Sequence, residues 1–322
     1  MLNKPTLLAT ALCGVMTFGS SWASSFPSEP IRINVPFAPG GGTDFLSRSI
    51  ANKMAEQTGW TIIVENRPGA AGTIAMSHVA RSTPSGHELI IGQLDTLAIA
   101  PAIYPNVTWD PIKNFEPIGL MATTPLLIVS NATGPYQNLP DALAAAKAQP
   151  EKIDYASPGV GSISHLAVAL LEQESGTKMQ HIPYKGAGPA MTDLLGNRVS
   201  LYAASIAAAM PQVQSKNVTP LAVTGAQRSA ALPDTPTVAE LGYPNVNIDV
   251  WYGLFAPSGV DAEKLETLHQ ALNNALNDPE IVKLLGAQGL MVKPDSRDAL
   301  RTIVETDVAR WPAIVQQADV SH

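Results

Sequence analysis

Cysteine is almost missing from this chain: one in 322 residues, Cys13, and it falls in the first 25. Beyond that stretch no disulfide, thiolate metal site or cysteine nucleophile is available, so the fold must rest on an apolar core alone. Positive charge is also short. Lys and Arg number 20 against 27 Asp and Glu, a net charge of −7, which argues against nucleic acid or an anionic membrane as partner. After the first 25 residues no apolar run approaches the roughly 20 residues of a membrane-spanning helix. Catalytic signatures are scarce as well. G-x-S-x-G, H-E-x-x-H and G-x-x-x-x-G-K-[ST] are absent, and His78, His87, His181, His269 and His322 show no ligand spacing. No metal and no cofactor are therefore expected.

What is present begins with a leader pattern. Lys4 precedes the apolar LLATALCGVMTF (7–18), and Ser21-Trp22-Ala23 ends in a small residue. A secretory signal peptide cleaved near Ala23 is the expectation, and with it export to the periplasm. Lipidation at Cys13 is not expected, because the bulky Leu12 precedes it and the apolar region runs on past it.

The rest alternates strand-like and helix-like segments, which predicts an α/β fold with parallel β-α-β units. IRINVPF (31–37), WTIIVEN (60–66) and ELIIGQ (88–93) read as strands, and 117–131 as one long extended segment. Leu46, Ile50 and Met54 stand at i, i+4 and i+8 of a helix starting near Asp44. Strands KIDYAS (152–157), MQHIPY, VSLYAAS, VTPLAVTG and DVWYGLFAP (249–257) follow, and helices over 261–277, 279–287 and 295–316 close the chain. Pro312 is expected to kink or stop the last one.

Two glycine-rich turns each follow a strand and open a helix. In PFAPGGGTD (36–44), glycines let backbone N–H groups approach a ligand and the helix behind favours negative charge. Capping by Thr43 or Asp44 explains one of those residues, not three glycines in series. Asp44 is read as bonding the loop's own N–H groups, since beside an anion it would repel. In SPGVGSISH (157–165), the dinucleotide fingerprint lacks its third glycine, where Ser164 stands, and its acidic partner. Two readings stay open: a second anion site with Ser157, Gly159, Gly161 and Ser162, or a tight turn with Ser162 as N-cap. His165 is expected as a polar group near the cleft and Lys185 as a solvated or ion-paired lysine. Trp251 and Tyr252 belong to the core, or to the cleft if the ligand is aromatic.

PFAPGGGTD, VENRPGAAGT, YASPGVGSISH, PYKGAGPAMTDLLG, LAVTG, LPDTPTVAELG and WYGLFAP, in this order, resemble the Bug (TctC-like) extracytoplasmic solute receptors of tripartite tricarboxylate transporters. The resemblance covers the chain from about Phe26 onward. It implies a two-domain periplasmic binding protein of the Venus-flytrap kind, each domain a mixed sheet flanked by helices, joined by two crossover segments. Domain I would be 26–124 plus 252–322 and domain II 125–251. It further implies a monomeric, non-enzymatic protein that captures a small carboxylate and delivers it to membrane permease subunits. A ligand-presenting receptor for a sensor system and a secreted hydrolase are the alternatives.

Carried onto this chain, the ligand-binding residues would be Pro39, Gly40, Gly41, Gly42 and Thr43, then Asp95 and Thr96. Gly69, Ala70 and Ala71 are weaker candidates. From the second domain come Ser157, Gly159, Gly161, Ser162 and His165, with Ala204 and Ser205 at a strand end. Relatives carry an acidic residue near that end. The uncharged Ala203-Ala204-Ser205 should make the distal pocket less hostile to a second carboxylate, so a dicarboxylate or an aromatic carboxylate is expected.

Overall fold

A computed structural model describes residues 26–104 and 106–318. The expected leader, with Lys4, Cys13 and the cleavage position at Ala23, lies outside the described residues.

Two mixed sheets share one long strand. In the first, β1 (Ile31–Val35) pairs in parallel with β2 (Ile62–Asn66) and β3 (Glu88–Gln93). Antiparallel to β3 runs β9 (Asp249–Pro257), which pairs in turn with the first part of β4 (Phe115–Asn131). A two-residue strand, β10 (Met291–Val292), closes that edge. In the second sheet, β5 (Asp154–Ser157) lies in parallel between β6 (Gln180–Pro183) and β7 (Leu201–Ser205). The second part of β4, from Leu126 onward, pairs antiparallel with β7 and with β8 (Val218–Val223). The parallel β-α-β units expected from the sequence are present, and the antiparallel β4 and β9 make each sheet mixed.

Helices cover the sheets because each carries one apolar stripe. In α1 (Gly42–Thr58), Leu46, Ile50 and Met54 are fully buried, so the 3.6-residue period read from the sequence is the buried face. Each such side chain contributes roughly 2 kcal/mol of burial. The remaining helices are α2 (Thr73–Ala80), α3 (Ala100–Ile103), α4 (Leu139–Ala148), α5 (Ile163–Ser175), α6 (Ala187–Leu195) and α7 (Ile206–Gln214). Then come α8 (Ala262–Leu276), α9 (Pro279–Gly286) and α10 (Arg297–Gln317). Pro312 sits inside α10 without ending it. Trp311, Ile314 and Val315 are buried on either side of it. Their burial offsets the roughly 3 kcal/mol that an interior proline costs.

The chain crosses between the sheets twice: within β4 at Pro125 and Leu126, and between β8 and β9. Thr224, fully buried, knots these crossings together. Its hydroxyl accepts from the Leu126 N–H (2.9 Å) and donates to the Ile248 carbonyl (2.7 Å). Its own N–H donates to the Leu126 carbonyl, and its carbonyl accepts from Ile248.

Candidate functional site

Between the two sheets lies a cavity of about 440 Å³, within the range of small-molecule sites. Phe37, Ala71, Asp95, Ile99, Ile103 and Tyr104 wall it from the first lobe. Thr124, Leu126, Val250 and Tyr252 wall it from the crossing strands. The second lobe supplies 158–164, Ala187, Tyr202 and Ser205.

The second glycine turn reaches this cavity directly. Gly159, Gly161 and Ser162 all line it. The turn is held by its own hydroxyls. Ser162 caps α5, its hydroxyl accepting from the His165 N–H (3.4 Å) and donating to the Gly159 carbonyl (2.7 Å). Ser157 is fully buried, off the cavity wall, with its hydroxyl against Gly159 and 2.6 Å from His181 Nε2. Of the two open readings, the tight turn with Ser162 as N-cap is present, and the turn also lines the cavity.

His165 also stands behind the wall. Its Nδ1 accepts the Gly161 N–H at 3.2 Å, and its ring stacks on His181 at 3.7 Å between centroids. Burial pushes both imidazoles down to about 4, with the neighbouring ring adding to the effect on His181. They are neutral buttresses at neutral pH and bring no positive charge to the site.

The first glycine loop behaves differently. Pro39, Gly40, Gly41 and Gly42 are exposed, and none of them nor Thr43 lines the cavity; Phe37 of the same loop does. The reason is local. Asp44, buried, accepts the Gly40 N–H at 3.0 Å and the Asn66 amide at 2.8 Å, and pairs with Arg48 at 3.0 Å. Burial alone would raise its pKa, but these partners outweigh burial and hold it low. A loop N–H is thus taken by the loop's own carboxylate, the role expected of Asp44.

Thr43 acts one step back. Its hydroxyl donates to Gln93 Oε1 (2.9 Å), and Gln93 Nε2 donates to Asp95 Oδ2 (2.9 Å). Asp95 opens a π-helical turn, Asp95–Ile99, after β3, and its Oδ1 accepts the Ile163 N–H at 3.3 Å. A first-lobe carboxylate thereby sits at the head of a second-lobe helix and lines the cavity. Thr96 is fully buried and closes the same turn on Gln93.

At the other strand end, Ser205 lines the cavity and caps α7, accepting the Ala208 N–H at 3.3 Å. Ala203 and Ala204 are paired to β4 inside the sheet and fully buried, so of this run only Ser205 reaches the wall, beside Tyr202 of the same strand. Of the weaker candidates, Ala71 lines the cavity in a left-handed conformation (φ 50°), a strain that marks a constrained site. Gly69 and Ala70 do not line it. Alternation along β9 separates two aromatics: Tyr252 faces the cavity, while Trp251 bonds Asp307 (2.7 Å) on the other face. Lys185 is exposed, as expected.

Sequence reasoning missed Ile99, Ile103, Tyr104, Leu126, Ala187, Tyr202 and Val250. They are apolar or phenolic residues indistinguishable from core in one dimension, and only the β9 alternation offered a signal, for Val250 and Tyr252.

Residues 46–320 match the tripartite tricarboxylate transporter family receptor (TctC) family. The chain is 31% identical over 320 residues to Protein BugT of Bordetella pertussis, covering 98% of each. Among solved structures, the periplasmic binding protein BugD superposes with a TM-score of 0.80 at 34% identity, over 92% of this chain and 99% of that one. An R. palustris protein solved with adipate superposes with a TM-score of 0.83 at 30% identity, over 91% of this chain and 98% of that one.

Proposed function

This chain belongs to the TctC family of tripartite tricarboxylate transporter receptors, and we propose that it captures a small carboxylate in the cavity between its lobes and delivers it to the permease subunits of such a transporter. One observation carries the reading: both lobes and both crossing strands contribute walls to a single 440 Å³ cavity, so a ligand there bridges the two halves. A ligand touching both lobes stabilises their closed arrangement, and closure about the Thr224 knot is the signal that permease subunits read. The hinge divides the chain into 26–124 with 252–322 and 125–251.

Asp95, Gly159, Gly161, Ser162 and Ser205 contact the ligand, with Ala71 beside them; Thr43 and His165 position that set from behind. No covalent chemistry takes place. The Ser162 hydroxyl is engaged in capping and Ser157 is buried, which speaks against a hydrolase. The protein works as a monomer in the periplasm, after its leader is removed near Ala23. The likeness to the adipate-bound structure supports a carboxylate ligand, and the wall of Tyr104, Tyr202 and Tyr252 suits an aromatic one.

A thermal-shift screen of the ligand-stripped protein against acids and their amides tests the proposal. A ligand at 100 times its Kd adds about 2.7 kcal/mol of stability. We expect at least one carboxylate to raise the melting temperature by several degrees; no shift from any acid at millimolar concentration would reject carboxylate capture.

A further inference from the structure

Asp95 brings a negative charge into a cavity whose described walls carry no lysine, arginine or histidine. Every other lining side chain is apolar, a hydroxyl or a phenol. Its position is fixed from both lobes. Gln93 donates to Oδ2 and the Ile163 N–H donates to Oδ1, so both oxygens act as acceptors, the pattern of an ionised carboxylate. The Thr43 hydroxyl holds Gln93 in turn. At the head of α5, where a ligand anion would be favoured by the helix end, the protein has already placed its own.

We propose that Asp95 sets the ligand class: the cavity takes a monocarboxylate whose far end is a neutral hydrogen-bond donor, such as an amide or hydroxyl, and discriminates against a second carboxylate. This rests on the reading that the cavity is where a carboxylate is captured. Each Asp95 oxygen keeps a lone pair for a donor on the ligand. A second ligand carboxylate would meet Asp95 across a few ångströms of apolar surroundings with no cation between them. The ligand's single carboxylate has the head of α7, where Ser205 lines the wall. Burial raises the pKa of Asp95 while the hydrogen bonds from Gln93 and Ile163 lower it, and a second carboxylate would find no compensating positive charge in the described walls. Ala203 and Ala204, buried in the sheet, do nothing to relieve it.

The test uses two matched pairs of acids: adipate against its monoamide, and terephthalate against 4-carbamoylbenzoate. Each is titrated calorimetrically at pH 7.5 into wild type and Asp95→Asn. Asparagine keeps an oxygen to accept from Ile163, and circular dichroism verifies the fold of the variant. In wild type we expect the monoamide of at least one pair to bind about tenfold or more tighter than the dianion, from like charges a few ångströms apart. Asp95→Asn should shrink that ratio to about threefold or less, mainly by tightening the dianion. A wild type that prefers the dianion, or a ratio that Asp95→Asn leaves unchanged, overturns the assignment while carboxylate capture stands. Should no acid of either pair bind wild type or variant, carboxylate capture fails and the assignment falls with it.

Discussion

Two glycine turns of the same pattern, strand then glycines then helix, meet different fates in this molecule. The first, with 39–42 exposed, is turned on itself, its Gly40 N–H taken by Asp44 of the helix it opens. The second, 158–162, forms cavity wall, and the N–H at its helix head is taken by Asp95 from the other lobe. Both turns thus have a backbone N–H taken by a carboxylate of the protein. The accepting carboxylate in the first case is four residues away, and in the second it reaches across the cleft. A glycine-rich helix start advertises free N–H groups, and what decides its role is where the nearest internal carboxylate comes from. A local one seals the turn. One that arrives from the opposite lobe makes the turn part of a shared site.

The comparison breaks most heavily at Asp44. Asp44→Ala removes the acceptor for Gly40 and Asn66 and the partner of Arg48, and should cost about 2–3 kcal/mol in denaturant melts. Because its pKa is held low when folded, the stability it provides is present above the usual carboxylate range and is lost as pH falls through the folded value. Ligand affinity should change little, since the loop it seals is not cavity wall. A large loss of affinity with the fold intact would mean that the first loop contacts the ligand.

A second effect sharpens the contrast from the other side, because the second turn leans on neutral histidines. His165 and His181 are depressed from 6.5 to about 4. The stability they provide is therefore present above about 6.5 and is lost as pH falls through about 4. Each pH unit of lowering is worth about 1.4 kcal/mol, so the loss is at most about 3 kcal/mol for each ring, and the unfolded chain takes both protons. Asp95, Glu172, Asp249 and Asp307, all raised by burial, act in the opposite sense. The reading to take is thus the difference between wild type and His181→Gln in melts from pH 7 to 4.5, which should narrow toward acid. Imidazole NMR signals that titrate near 6.5 would contradict the buttress.

Much of the fold was legible in one dimension. Strand and helix periods placed β1 to β9 and the buried face of α1, because burial on one side leaves a pattern in sequence. The persistence of α10 through Pro312 was not legible, since it depends on what Trp311, Ile314 and Val315 pack against. The candidate site divided in the same way. Asp95, Gly159, Gly161, Ser162 and Ser205 stand at strand ends or helix starts, and the α/β pattern already points ligands there. The apolar half of the wall, from Ile99 to Val250, carried no signal because a cavity-facing Ile or Val looks like a core-facing one. Nor could spacing reveal that Asp95 lies at the head of α5, 68 residues further along the chain.

The most direct measurement uses the best ligand of the thermal-shift screen, titrated into wild type, Gly40→Ala and Gly161→Ala. Both glycines have positive φ, 83° and 74°, so alanine strains each by a similar ~1–2 kcal/mol and both variants lose comparable stability. The account predicts that Gly161→Ala weakens binding about tenfold, ~1.4 kcal/mol, while Gly40→Ala leaves Kd within about twofold. Equal losses at the two positions, or a loss at Gly40 alone, would contradict the claim that the second turn and not the first loop holds the ligand.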